Sequence, residues 1–113
     1  MLYVVIGPPA GGKSTWVLDR ARPGDIVIDF DRMAVALTGP GGDPHDHPGP
    51  VMVVVRAART AAIEAAIKQA KATDVYLIHS SPGQARMAEY RALGAEVVTI
   101  DPGRDVVRAR CSL

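Results

Sequence analysis

The chain has 113 residues, 48% hydrophobic and 22% charged, and 13 basic against 12 acidic side chains leave a formal net charge of +1. This fits one globular domain over residues 1–113, at the small end for an α/β fold, and excludes a disordered chain. The charge balance gives no overall field that argues for nucleic acid, and no window nears the ~20 apolar residues a bilayer-crossing helix needs.

The apolar opening segment stops at Gly7 without the basic flank and cleavage site of a signal peptide. A lone cysteine, Cys111, excludes an internal disulfide and reads as an unremarkable thiol. A cytoplasmic, reducing setting is the expectation.

Residues 2–6, Leu-Tyr-Val-Val-Ile, form the first expected strand. Gly7-Pro8-Pro9-Ala10-Gly11-Gly12-Lys13-Ser14 follows, and a helical pattern opens over 13–21, closed by Pro23-Gly24. G-x-x-x-x-G-K-[ST] between a strand and a helix is the pattern of a phosphate-binding loop. Its glycines let the backbone curl so that N–H groups point inward, and the helix start adds its positive dipole end. Lys13 is then expected at the β- and γ-phosphates of a bound polyphosphate, and the Ser14 hydroxyl on Mg²⁺. The alternative is an ordinary glycine-rich turn that happens to carry Lys-Ser. Trp16 reads as packing for the first helix.

A short apolar strand over 25–29 ends in an acid, and a brief helix is expected over 32–37. In open α/β sheets ligands sit beyond the carboxyl ends of the strands, so Asp29 and Asp31 are candidates by position. Asp29 could face Mg²⁺, while Asp31 could accept a proton from a substrate hydroxyl during phosphoryl transfer. Otherwise Asp31 simply caps the following helix. Residues 38–50, dense in Gly, Pro, Asp and His, form a loop that reads as a flexible lid or substrate-facing segment. The alternative, that His45, His47 and His79 ligate a metal, lacks the spacing of a structural zinc site.

Residues 51–72 read as one long helix beginning near Pro50, with Val55, Ala58, Ala62, Ala65 and Ala66 as a stripe against the sheet. Arg56 and Arg59 lie one turn apart, either as a solvated face or as a phosphate clamp. A strand over 74–79 ends in His79-Ser80-Ser81, where the acid that helps hold Mg²⁺ usually stands in a nucleotide triphosphatase with this loop. His79 could contact a phosphate or orient a water, with Ser80 as a phosphate donor. It could equally be a satisfied histidine beside a helix cap made by Ser81 and Pro82. A helix over 84–93 ends at Gly94, a strand follows over 96–100, and Asp101-Pro102-Gly103 turns into a last helix over 104–110. The expected fold is α/β, three-layered, with roughly four parallel strands.

The phosphate loop through Trp16, then Ile28-Asp29-Phe30-Asp31, then Asp101-Pro102 before an arginine-rich end, resembles the P-loop kinases of the bacteriophage 5′-polynucleotide kinase type. It looks especially like the small AAA-like ATP-binding proteins of phages and prophages. The resemblance implies ATP and Mg²⁺ bound by Gly7, Pro8, Pro9, Ala10, Gly11, Gly12, Lys13, Ser14 and Thr15. It puts Asp31 where the family's general base stands and Arg110 where a lid arginine reaches ATP. His79-Ser80 departs from the family's acid, Ala34 and Val35 stand where the family has an arginine, and Leu113 precedes the second lid arginine. Two functions follow. One is a kinase moving the ATP γ-phosphoryl to a hydroxyl acceptor, a polynucleotide 5′-end or a nucleotide. The other is an ATPase or nucleotide-binding module working through a partner. No membrane partner is expected, and the oligomeric state is left open.

Overall fold

The computed structural model describes residues 1–8 and 12–101, and the backbone of 107–110. Strands β1 (Leu2–Ile6), β2 (Ile26–Ile28), β3 (Val75–His79), β4 (Glu96–Thr99) and β5 (Val107–Arg110) form one sheet in the order β2-β3-β1-β4-β5. The first four run parallel, and β5 lies antiparallel on β4. Helices α1 (Lys13–Leu18), α2 (Phe30–Leu37), α3 (Gly49–Ile67) and α4 (Gln84–Ala92) fall between the parallel strands. No helix among the described residues is long and apolar enough to cross a membrane.

Strand side chains alternate between the two faces of a sheet, and both faces are apolar here. Leu2 and Val4, Val75 and Leu77, and Val97 pack with Ile63 and Ala66 of α3 and Tyr90 of α4. Val5, Tyr76, Ile78 and Val98 pack on the opposite side with Trp16 and Val17 of α1. Trp16 therefore packs as the sequence suggests, with the Arg20 guanidinium 4.1 Å above its ring centre. β3, paired on both sides, is buried along its whole length.

The final segment is where the expectation fails. Val107–Arg110 is a strand, with Val97 opposite Ala109 and Val98 opposite Arg108, not the end of a helix over 104–110. Val-Arg-Ala-Arg alternates apolar and basic with the period of a strand, and four residues are too few to show a helical period. The free edge of β4 supplies backbone partners that no local pattern announces.

The helices differ at their ends from these expectations, α4 by one residue, at Ala92. α1 stops at Leu18 and α3 at Ile67, short of the expected 21 and 72. α2 starts at Phe30, two residues early, because Asp29 and not Asp31 is its cap: the Asp29 carboxylate accepts from the Asp31 N–H. α4 is preceded by Gly83 with no side-chain cap, so Ser81 and Pro82 do not cap it. Along α3 the packing stripe holds Val55, Ile63 and Ala66, while Ala65 faces solvent.

Gly7 fixes where the chain leaves β1. Its φ is 150°, and a Cβ there would stand 2.2 Å from the Ile100 carbonyl oxygen. The Ile100 N–H donates to the Ile6 carbonyl at 2.8 Å, which holds the two segments at that spacing. Gly7→Ala must therefore spread β1 from β4 or twist the loop, at a cost of about 3 kcal/mol. Urea unfolding followed by circular dichroism should show the midpoint drop; an unchanged midpoint would mean the close approach is not maintained in solution.

Candidate functional site

The carboxyl ends of β1, β2 and β3 open into one cleft of ≈ 790 Å³, lined by Gly12 to Thr15, Asp29 to Asp31, His45, Arg59 and Ile78 to Ser81. The parallel register brings these ends level, since Ile6 pairs with His79 and Ile28 with Leu77. Residues from five separate stretches of the chain thus share a single space.

At the β1 end, Gly12 adopts φ 86°, a left-handed turn open to glycine, and leads directly into α1. Lys13 is buried, and its ammonium reaches back to donate to the carbonyls of Gly7 and Pro8 at 3.0 and 2.7 Å. Burial lowers its pKa below the usual lysine value, opposed by the Asp29 and Asp31 carboxylates. Thr15 is exposed at the rim. Pro9, Ala10 and Gly11, assigned to the same loop from the sequence, lie outside the described residues.

Asp29, 6% exposed, uses both carboxylate oxygens. Oδ2 accepts from the Ser14 hydroxyl at 2.6 Å, and Oδ1 accepts from the Asp31 N–H at 3.2 Å. The two residues assigned to Mg²⁺ from the sequence are thus in direct contact. Asp31 stands on the first turn of α2, half-exposed, with its carboxylate toward the histidine loop. His47 Nε2 lies 2.8 Å from Asp31 Oδ1, and His45 Nδ1 3.6 Å from Oδ2. The His47 ring is itself buried and tilted against Phe30, with ring centres 6.2 Å apart. The loop over 38–48 thus folds onto Asp31. No cluster of three or more His, Cys, Asp or Glu suited to a metal occurs among the described residues.

His79 closes β3, buried, with both ring nitrogens occupied. Nδ1 lies 3.0 Å from an Arg59 amino nitrogen, and Nε2 lies 2.8 Å from the Tyr90 hydroxyl. Arginine only donates, so Nδ1 accepts and the N–H sits on Nε2, facing Tyr90. Desolvation, reinforced by the charges of Arg59 and Arg86, lowers the His79 pKa to about 4. Of the two sequence readings, this geometry is that of a satisfied histidine.

Arg59 is the member of the cleft that the sequence left undecided. The same amino nitrogen also donates to the Ile78 carbonyl at 2.9 Å. Arg56, one turn earlier, is exposed and absent from the cleft. A signal was present: 55, 59, 63 and 66 follow helical spacing, so Arg59 interrupts the apolar stripe, whereas Arg56 lies off it. The side chain of Arg110, expected at the nucleotide, lies outside the described residues.

No protein-family model matches the sequence. No curated protein matches it either. Among solved structures the fold resembles a chain in the "Structure of Pnkp1/Rnl/Hen1 complex", at TM-score 0.53 and 16% identity, over 87% of this chain and 33% of that one. The chain thus spans about a third of the length of that protein, and the likeness is one of fold.

His79 gives this site a testable pH signature. Its folded pKa of about 4 lies below the ordinary 6.5, so its contribution to stability is complete above pH 6.5 and is lost as pH falls toward 4, where the unfolded chain takes up the proton first. The slope cannot exceed about 1.4 kcal/mol per pH unit. His79→Gln should flatten the dependence of the urea midpoint between pH 6.5 and 4; a variant with the wild-type slope would show that other groups carry it.

Proposed function

We propose that this chain is a P-loop phosphotransferase that moves the γ-phosphoryl of ATP to a hydroxyl acceptor, a polynucleotide 5′-end or a nucleotide. The observation that carries the reading is the Ser14–Asp29 contact of 2.6 Å, set beside Lys13 and Asp31 in one cleft at the strand ends. The loop spacing of Gly7 to Ser14 supports a triphosphate ligand, and the fold likeness to a chain of the Pnkp1/Rnl/Hen1 complex agrees with it.

A serine hydroxyl beside a carboxylate is the hard-oxygen donor set that Mg²⁺ takes, usually with waters and substrate phosphates completing its shell. Ser14 and Asp29 would hold the ion, which when bound would neutralise charge on the β- and γ-phosphates. Lys13 shares that task, its ammonium turning from the Gly7 and Pro8 carbonyls to the phosphates. Asp31 accepts the proton of the acceptor hydroxyl as its oxygen attacks the γ-phosphorus. The bond to the β-γ bridging oxygen breaks, and ADP leaves. His47, 2.8 Å from Asp31 Oδ1, holds the carboxylate in place. Most of the rate gain in such a reaction comes from positioning and charge, which a cleft built on strand ends supplies.

One observation favours a second reading, a nucleotide-binding module that hydrolyses ATP slowly or acts through a partner: β3 ends in a buried neutral histidine where an acid would help hold the metal. Acceptor dependence separates the two. With labelled ATP, product formation and ADP release should rise on adding hydroxyl-ended DNA, RNA or nucleosides, and no rise with any acceptor sinks the kinase. Lys13→Ala should weaken ATP binding by roughly tenfold or more, measured by calorimetry. Asp31→Asn should slow transfer by about 10²–10⁴ while ATP affinity stays within about threefold. A transfer rate equal to wild type in Asp31→Asn removes the base from Asp31.

A further inference from the structure

A guanidinium held inside the cleft without a counter-ion calls for one. Arg59 stands on α3, within the face that packs the helix onto the sheet, and lines the cleft with Lys13, Ser14 and Asp29. One amino nitrogen is fixed by two acceptors, the Ile78 carbonyl and His79 Nδ1. The Nε atom is buried and has no hydrogen-bond partner. Among the described residues no carboxylate lies within ion-pair distance of this arginine. Burying a charged donor unpaired is costly, and in a cleft an incoming ligand is the natural source of the acceptor.

His79 explains why the side chain is aimed and not merely trapped. Its Nε2–H is committed to Tyr90, so Nδ1 presents a fixed lone pair to the guanidinium. Tyr90 is fully buried in the core, which anchors the whole relay. The end of β3 therefore offers the cleft a cation where an acid would be expected. β3 pairs with β1, so this cation stands beside the strand that delivers Gly7 and Lys13. Burial also lowers the pKa of Arg59, in keeping with a guanidinium taken out of water.

We propose that Arg59, aimed by the His79–Tyr90 pair, binds the terminal phosphate of a nucleoside triphosphate, as a phosphate-binding residue donated by α3. This rests on the phosphotransferase reading above. It adds a specific consequence: the preference for triphosphate over diphosphate resides largely in one arginine. With one amino nitrogen held by Ile78 and His79, the other is left to donate to a phosphate oxygen, and that charge-assisted contact is lost when the guanidinium is removed.

The test is calorimetric titration of wild type, Arg59→Met and Lys13→Ala with ATP and with ADP, each with Mg²⁺. Arg59→Met should weaken ATP by roughly tenfold or more and ADP by less than about threefold. Arg59→Lys, which keeps the charge but not the planar group held by Ile78 and His79, should fall between wild type and Arg59→Met. Equal losses for ATP and ADP, or no loss for either, overturn the proposal. So does unchanged ATP affinity together with weakened binding of a hydroxyl-ended oligonucleotide, which would assign the arginine to the acceptor. If Arg59→Met does not fold, Arg59→Gln keeps a donor for the Ile78 carbonyl and carries the same comparison. Wild type that binds neither nucleotide sinks the phosphotransferase reading itself, whereas a wild type that binds both with no Arg59 effect sinks only this inference.

Discussion

Asp29 sits at the end of the shortest parallel strand, and both of its carboxylate oxygens are engaged: one accepts from the Ser14 hydroxyl and the other from the Asp31 N–H. The first bond ties the start of α1 to the end of β2, and the second sets the first turn of α2. A carboxylate this buried is tolerated because both sides are satisfied, and breaking either bond would remove part of that compensation. The position of Asp31, and through it that of His47 and the loop over 38–48, follows from this one side chain. The cleft is thus organised from its floor outward.

At the third strand the same economy takes another form. A buried acid would need a metal or a cation nearby, whereas a neutral imidazole needs only hydrogen bonds. His79 finds them in Tyr90 and Arg59, two residues contributed by helices on the same face of the sheet. The polar end of β3 is therefore joined to the apolar core without a charge of its own, and the positive charge held beside it belongs to α3.

Much of this architecture is legible in the sequence because it is local. The strands over 2–6, 75–79 and 96–99 are apolar runs between turn residues. Asp29 and Asp31 are both recognisable as strand-end acids, yet which one caps α2 depends on a bond two residues long that either could make. The strand β5 is hidden because its partner is an edge formed by another segment, and short sequences carry no record of distant edges. Arg59 is hidden for a different reason. A charge on an apolar stripe can be surface, snorkelling or site, and only the place where the guanidinium ends distinguishes them. The His47–Asp31 contact likewise depends on how a glycine- and proline-rich loop folds back, which composition does not specify.

The lateral boundaries of the sheet have a consequence for how copies of this chain meet. One outermost ladder, β2, is three residues long, and the other, β5, is four and runs against the direction of the rest. Brief borders of this kind give a neighbouring molecule little backbone to zip onto. Growth by strand addition, the usual route to fibrils and swapped assemblies, is thereby discouraged at both flanks.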